Sequence, residues 1–194
     1  MGEIIDLNFI RQAREAVKRT SIPGLFVVGR PVLPDERGFF REVFRLSEIE
    51  AVTGVKFNHV QMNHSYSQPG VIRALHAENW NKLVYPVSGQ MFTAIVDIRP
   101  ESETFGKVET FTFDNSNRRA LFISQGLANS VCVIGEEPVH YIYLVDAYYD
   151  GKDTRAVAWD DPDLKIPWPV TTPIISEKDQ QNPTLRELFP EKFK

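Results

Sequence analysis

Residues 82–98 read KLVYPVSGQMFTAIVDI, and this stretch decides the fold class. Two runs rich in apolar residues, Lys82–Val87 and Gln90–Ile98, flank Ser88-Gly89, a dipeptide that suits a tight hairpin turn. The pattern predicts two antiparallel strands. Runs of the same kind recur on both sides of this hairpin, at Phe57–Tyr66, Gly70–His76, Lys107–Phe113, Arg119–Ile123, Ala128–Ile134 and His140–Asp146.

No helical pattern lies between these predicted strands, which argues against alternating strands and helices. Many short strands joined by Gly-, Pro- and Asn-containing turns predict an all-β fold, a closed barrel or a double-sheet jelly roll of the cupin type. We expect one domain over residues 1–194. Its barrel would span about 25–150, and a Pro-rich segment at about 155–194 would wrap the surface.

Small peripheral helices are predicted outside the strand-rich centre. An N-terminal helix at about 6–19 has Asp6 or Asn8 as its cap and apolar residues on one face. The other predicted elements are strands at Leu25–Val32 and Gly38–Phe44, a short helix with Ser47 at the N-cap and Gly54 at the C-cap, and a last helical turn at Thr184–Leu188.

The composition excludes several classes of protein. The net charge is −4 with acidic and basic residues interspersed, so no basic nucleic-acid surface is expected, although a local Arg and Lys pair could still bind a diphosphate. The single cysteine, Cys132, allows no intrachain disulfide. No signal peptide and no apolar run of membrane length is recognisable, so the expected location is cytoplasmic.

Among the four histidines, only His76 has distinctive neighbours, because Arg73, Glu78 and Lys82 lie close to it in sequence. If the strand is regular, alternation places Ala74 on the same face as His76 and Arg73 on the opposite face. A metal site in a cupin needs three or four converging ligands, whereas this motif offers only His76 and Glu78, so we expect no metal.

A series of motifs resembles one known family along nearly the whole chain, from about residue 28 to 188. The series is similar to the dTDP-4-dehydrorhamnose 3,5-epimerases, deoxysugar epimerases of the cupin class. The motifs, in order, are Asp35–Glu42, Gln61–Ser65, Gly70–His76, Lys82–Val84, Val96–Arg99, Thr104–Lys107, Gly126–Asn129, Tyr143–Tyr149, Trp159–Pro162 and Ser176–Asp179.

The resemblance implies a reaction and its catalytic residues. Such an enzyme moves protons at C3 and C5 of a nucleotide-linked 4-keto-6-deoxy sugar, without a cofactor, and needs a base, an acid and a donor for the developing oxyanion. By resemblance, His76 is the base, Asp179 orients its imidazole, Tyr143 is the acid on the opposite face, and Lys82 is the cation for the enolate.

The resemblance also implies contacts to a dTDP-sugar. The segment with Arg37, Phe40 and Glu42 would reach the nucleotide of a neighbouring subunit, so a homodimer with shared active sites is expected. The remaining implied contacts are Arg73 and Lys178 to the diphosphate, Tyr149 stacked on thymine, and Gln61, Asn63 and Asn129 as polar contacts.

Two positions depart from the common family pattern. Asn129 stands where a histidine is usual, and it can exchange hydrogen bonds but cannot become cationic. Ala74 stands where glycine is usual, which predicts a narrower site floor. These departures leave open an epimerase that inverts only C3 or only C5 of a related nucleotide sugar. A catalytically silent cupin that binds a sugar nucleotide is the second alternative.

Overall fold

The computed structural model describes residues 6–151 and 155–193. Its four α-helices are α1 (Leu7–Ala16), α2 (Leu46–Thr53), α3 (Glu177–Gln180) and α4 (Leu185–Leu188), and a 3₁₀ turn spans Pro190–Phe193. Its strands are β1 (Val17–Arg19), β2 (Leu25–Val28), β3 (Leu33–Asp35), β4 (Gly38–Phe40), β5 (Gln61–Ser67), β6 (Ile72–Ala77), β7 (Lys82–Ser88), β8 (Met91–Asp97), β9 (Val108–Phe113), β10 (Ala120–Ile123), β11 (Leu127–Val133), β12 (Val139–Val145) and β13 (Arg155–Ala156).

The predicted all-β jelly roll is confirmed. A six-stranded sheet in the order β1-β2-β10-β7-β12-β5 faces a five-stranded sheet in the order β13-β6-β11-β8-β9, and neighbouring strands in both are antiparallel. Neighbours in each sheet come from distant parts of the chain, as jelly-roll connections require. The predicted hairpin within residues 82–98 was therefore wrong, because β7 and β8 lie in different sheets and do not pair with each other.

Three apolar clusters hold the layers together. The inner cluster fills the space between the sheets with side chains such as Leu121 and Ile95. The cluster around Phe57 and Phe122 joins α1 and α2 to the outer face of the six-stranded sheet. The cluster with Leu185 joins the C-terminal segment to the outer face of the five-stranded sheet. Each fully buried side chain of this size contributes about 1.5–3 kcal/mol.

The predicted helices are confirmed with two corrections. Asp6 caps α1 by accepting from two backbone N–H groups, but the helix ends at Ala16, because residues 17–19 pair with β2 as β1. In α2, Gly54 is the left-handed C-cap as predicted (φ 74°), whereas Arg45 and not Ser47 is the N-cap residue. The predicted last turn is α4, which has a capping box between Thr184 and Glu187.

Three strands differ from their predicted bounds. β2 ends at Val28, four residues early, because the chain leaves the six-stranded sheet there and forms the small β3–β4 hairpin. β4 also ends four residues early, at Phe40, because it pairs only with the three-residue β3. β5 begins at Gln61 rather than at Phe57, whose fully buried side chain packs under α2. Apolar residues that serve a helix–sheet contact resemble a strand in sequence, which explains this error.

A β-bulge interrupts β6 and changes which side chains face the barrel interior. Asn129 pairs with His76 and Val131 pairs with Arg73, so two residues along β11 oppose three along β6. Arg73 and His76 therefore share the inner face, and the prediction of opposite faces was wrong. Ala74 was also misplaced, since it packs in the outer cluster beneath the C-terminal segment.

The β3–β4 hairpin projects from the molecule with little support from the rest of the chain. All six of its residues are exposed, and its two phenylalanines, Phe39 and Phe40, are 65% and 66% exposed. These two neighbouring side chains form an exposed apolar patch on the hairpin. No helix among residues 6–151 and 155–193 is long and apolar enough to cross a membrane.

Candidate active site

A cavity of about 590 Å³ opens at one end of the barrel, where both sheets and the C-terminal segment contribute side chains. Strand pairing explains its position: Gln61 and Lys82 lie opposite Val145, and Asn63 lies opposite Tyr143, so these side chains share the inner face of the six-stranded sheet. Six of the predicted site residues line the cavity, namely Gln61, Asn63, His76, Tyr143, Tyr149 and Lys178.

His76 and Asp179 form a hydrogen-bonded pair, although 103 residues separate them in sequence. Nε2 of His76 lies 2.8 Å from Oδ1 of Asp179, whose side chain is only 7% exposed. Burial works to raise the pKa of Asp179, but the His76 ring, the Ala74 N–H and Ser176 outweigh it, so this pKa lies below its usual value. Because the carboxylate is ionised, a neutral His76 donates from Nε2 and keeps its lone pair on Nδ1.

Tyr143 faces His76 across the cavity, since β12 belongs to the six-stranded sheet and β6 to the five-stranded one. Burial and the nearby Glu78 carboxylate raise the pKa of Tyr143, and Arg73 opposes them. The phenol is therefore protonated at neutral pH and can donate a proton. The lone pair on Nδ1 of His76 and the O–H group of Tyr143 therefore lie on opposite sides of the same cavity.

Lys82 does not line the cavity but lies behind its wall. Its Nζ donates to Oε2 of Glu78 at 2.7 Å and to Oδ1 of Asn129 at 2.9 Å, and it lies 5.0 Å from the ring centroid of Tyr143. Burial lowers the pKa of Lys82, and Glu78 counteracts this effect. The cation is thus shared between a carboxylate and an amide, beside the proton donor.

Arg73 reaches the inner side of the barrel because of the bulge. Its Nε donates to Ser67 Oγ at 2.9 Å, and its guanidinium also donates to the Tyr66 carbonyl at 3.2 Å. Arg73 is not among the cavity-lining residues, yet it is close enough to influence the pKa of Tyr143. It therefore extends the polar surface beyond the cavity.

A polar and aromatic rim completes the cavity. Gln61 donates to Asn63 at 2.8 Å and accepts from the Tyr149 N–H at 3.4 Å. The rings of Tyr149 and Trp80 meet edge to face at 6.3 Å between centroids, and Tyr149 is 59% exposed. An exposed aromatic beside a cavity offers a face on which a planar ligand group can stack.

The structure does not bring the 37–42 segment to the cavity of the same chain. Arg37 bonds to Asp35 in the β3–β4 hairpin, and Phe40 points into solvent. Glu42 instead pairs with Arg30 and Arg45, which lower its pKa, Arg45 more strongly. None of the three residues contributes to this chain's own site.

Seven further residues line the cavity, and four of them have polar or aromatic side chains that sequence reasoning did not assign to substrate: Glu78, Trp80, Arg155 and Asn182. Glu78 was considered only as a metal ligand. Its position four residues before Lys82 was the available signal for the ion pair. Arg155 and Asn182 belong to the C-terminal segment, where no local pattern indicates which side chains return to the barrel. Among the described residues, no group of three or more His, Cys, Asp or Glu side chains is arranged to hold a metal.

A jelly roll in which a buried carboxylate holds a histidine opposite a protonated tyrosine has the parts of an enzyme that moves protons on a small molecule. The chain belongs to the dTDP-4-dehydrorhamnose 3,5-epimerase family, whose model matches residues 19–187. The chain is 38% identical over 167 residues to the dTDP-4-dehydrorhamnose 3,5-epimerase of Shigella flexneri, covering 84% of this chain and 92% of that protein.

Solved structures show the same similarity. A 4-keto-6-deoxy sugar epimerase from the novobiocin biosynthetic gene cluster of Streptomyces spheroides aligns with a TM-score of 0.86 at 29% identity, over 91% of this chain and 90% of that one. A 3,5-epimerase from Legionella pneumophila, in complex with dTDP-4-keto-L-rhamnose, aligns with a TM-score of 0.83 at 32% identity, over 90% and 95% of the two chains.

Proposed function

We propose that the protein converts dTDP-4-keto-6-deoxy-D-glucose to dTDP-4-keto-L-rhamnose by inverting C3 and C5. The facing arrangement of the His76–Asp179 pair and Tyr143 in one cavity supports this proposal most directly. The family match and the ligand of the Legionella pneumophila relative support the choice of substrate. Cavities of roughly 300–1,000 Å³ suit small ligands, and this one lies within that range.

The chemistry needs a base and an acid on opposite sides of the sugar. Protons on C3 and C5 are acidic because either carbanion delocalises onto the C4 oxygen as an enolate. We assign His76 Nδ1 as the base, since Asp179 holds the other ring nitrogen, and Tyr143 as the acid that returns a proton from the other side. A positioned acid or base contributes about 10²–10⁴-fold each, and side chains alone can supply both, so no cofactor is proposed.

The developing enolate oxygen needs a donor or a cation near it. Lys82 is the proposed source of positive charge, held in place by Glu78 and Asn129 and next to the Tyr143 ring. Because Glu78 also lines the cavity, its carboxylate would repel the enolate if Lys82 did not neutralise it. The pair must therefore act as one unit.

The nucleotide would bind at the rim. We propose that thymine stacks on Tyr149 beside Trp80, and that Lys178 and Arg73 contact the diphosphate, with Arg155 as an additional cation. Guanidinium groups bind phosphate oxygens through two parallel hydrogen bonds, which suits them to this role. Gln61 and Asn63 are the proposed polar contacts.

We also propose a homodimer in which the β3–β4 hairpin of one chain completes the site of its partner. The exposed Phe39 and Phe40 favour burial against another molecule, and β5, which begins at Gln61 and forms the edge of the six-stranded sheet, offers unpaired backbone groups. A fully active monomer in sedimentation analysis would contradict the dimer. Loss of nucleotide affinity in Phe40→Ala, without loss of folding, would support it.

The decisive experiment is incubation with dTDP-4-keto-6-deoxyglucose in D₂O, with NMR detection of deuterium at C3 and C5. We expect deuterium at both positions in the wild type, none in His76→Ala, and normal incorporation in the exposed control His59→Ala. Incorporation at one position only would mean that the protein is a single-centre epimerase. The presence of Asn129 at a position where a histidine is usual favours this second candidate. Tight dTDP binding without exchange at either position would instead indicate a silent binding protein.

A further inference from the structure

A second cavity, of about 580 Å³, lies on the far side of the six-stranded sheet from the candidate active site. It is bounded by α1, by the segment that follows β2, by the start of α2 and by the turn before β10. Five of the residues that line it are arginines, and we call it the arginine cavity: Arg30, Arg41, Arg45, Arg118 and Arg119.

The arginine cavity is cationic although the protein as a whole is acidic. Two carboxylates line it, Glu15 and Glu48, and Glu42 pairs with two of the lining arginines, so five positive charges meet three negative ones and two are in excess. The chain carries a net charge of −4. Such a concentration of one sign of charge in a concave surface attracts ions of the opposite sign.

Three of the arginines have no carboxylate partner within the part of the chain that the structure describes. Arg30 pairs with Glu42 and Glu48, and Arg45 pairs with Glu42. In contrast, Arg41, Arg118 and Arg119 form no ion pair. The positive charge in excess therefore lies on these three side chains, which face the single remaining carboxylate of Glu15 and come from two separate segments of the chain.

Arg41 and Arg118 lie against each other despite their like charges. Arg41 donates to the Arg118 carbonyl and to the Tyr85 hydroxyl, and Arg118 donates to the Pro86 carbonyl and to Asn115. Arg118 is only 7% exposed, and burial together with Arg41 lowers its pKa, while Tyr85 and, more weakly, Asp114 oppose this effect. Neutral acceptors thus hold two cations in place and leave their charge uncompensated.

We propose that the arginine cavity binds a phosphate or diphosphate anion, at a site separate from the candidate active site. A diphosphate fits the excess charge, and planar guanidinium groups bind phosphate oxygens through pairs of hydrogen bonds. The anion can be free inorganic phosphate or diphosphate, or the diphosphate of a nucleotide. An acidic segment of a second copy of the chain is the competing occupant.

The test is calorimetric titration of the folded, full-length protein with inorganic diphosphate and, separately, with dTDP. Arg119→Gln removes an exposed side chain that has no ion-pair partner among residues 6–151 and 155–193, and Arg41→Gln removes one of the two adjacent cations. Arg14→Gln, an exposed arginine of α1 that does not line the cavity, is the matched control. Each lining variant should weaken one binding event by about tenfold to a hundredfold, and the control should not.

The two titrations distinguish the source of the anion. If the ligand is the free anion, titration with inorganic diphosphate shows a binding event that the lining variants weaken, and titration with dTDP shows no event that these variants weaken. If it is a nucleotide, dTDP shows two events per chain and the lining variants lose only one. The proposal is overturned if Arg119→Gln and Arg41→Gln bind both ligands like the wild type. It is also overturned if these variants change only the sedimentation of the protein, because a second copy then occupies the cavity.

Discussion

The ion pair of Glu78 and Lys82 makes a sharp prediction about stability. In Glu78→Gln, Nζ of Lys82 keeps its 2.9 Å bond to Asn129 but loses the carboxylate at 2.7 Å, while its side chain stays only 6% exposed. Removing one partner of a buried pair costs about 3–5 kcal/mol. Because the Glu78 side chain is 15% exposed and borders the cavity, we expect the lower end of this range, about 3 kcal/mol at pH 7.

The loss should depend on pH with a definite sign. The pKa of Lys82 in the folded chain lies below its usual value of 10.5, so between these two values the unfolded chain binds more protons and stability rises with pH. Without Glu78, which raises this pKa, the difference between folded and unfolded chains widens. The variant should therefore regain stability relative to the wild type as the pH rises from 7 towards 10.

Urea unfolding followed by tryptophan fluorescence at several pH values measures this effect. Glu137→Gln, in an exposed turn, is the matched control and should behave like the wild type. Two results would refute the reasoning: a Glu78→Gln variant as stable as the wild type at pH 7, or a deficit that stays constant up to pH 10. Either would mean that Lys82 is not a buried cation that depends on Glu78.

Three further changes test other parts of the molecule. Tyr143→Phe keeps the ring, so deuterium exchange should fall by about 10²–10⁴-fold with unfolding unchanged, and normal exchange would remove Tyr143 from the mechanism. The wild type should exceed Asp179→Asn in free energy of unfolding by about 1.5–3 kcal/mol, measured by denaturation. Because the pKa of Asp179 is lowered in the folded protein, this difference should be complete above about pH 4 and disappear in stronger acid. In Gly89→Ala the new Cβ would lie 2.6 Å from the Pro138 carbonyl oxygen, at a residue with a φ of 76°, so the free energy of unfolding should fall. A decrease of less than about 1 kcal/mol in calorimetry would contradict that geometry.

The family motifs were sufficient to find much of the candidate site. Six of the residues they indicated line one cavity, and Asp179 reaches His76 as the resemblance implied. The roles of these residues stay proposals. The motifs worked because most of these residues lie on strands or on α3, whose positions the barrel determines, so a short local sequence carries information about a distant neighbour.

Other features could not be read from the chain. The bulge in β6 arises from its register with β11, and this register is established only when the two strands pair in the folded protein. Arg73 was therefore assigned to the wrong face. Sequence likewise gave no indication that Arg155 and Asn182 would enter the cavity, because the C-terminal segment follows the surface of a barrel formed by other residues.

The sequence by itself determined the all-β class, the positions of most strands, and a family resemblance that made His76, Lys82, Tyr143 and Asp179 the proposed catalytic residues. Local patterns of apolar and turn residues are enough to predict the strands, because the residues of each strand alternate or cluster according to which of its faces are buried. Only the tertiary structure decided that Lys82 lies behind the cavity wall with Glu78, and that Arg41 and Arg118 meet without a carboxylate between them. These arrangements depend on contacts between distant segments, whose geometry follows from packing rather than from local sequence.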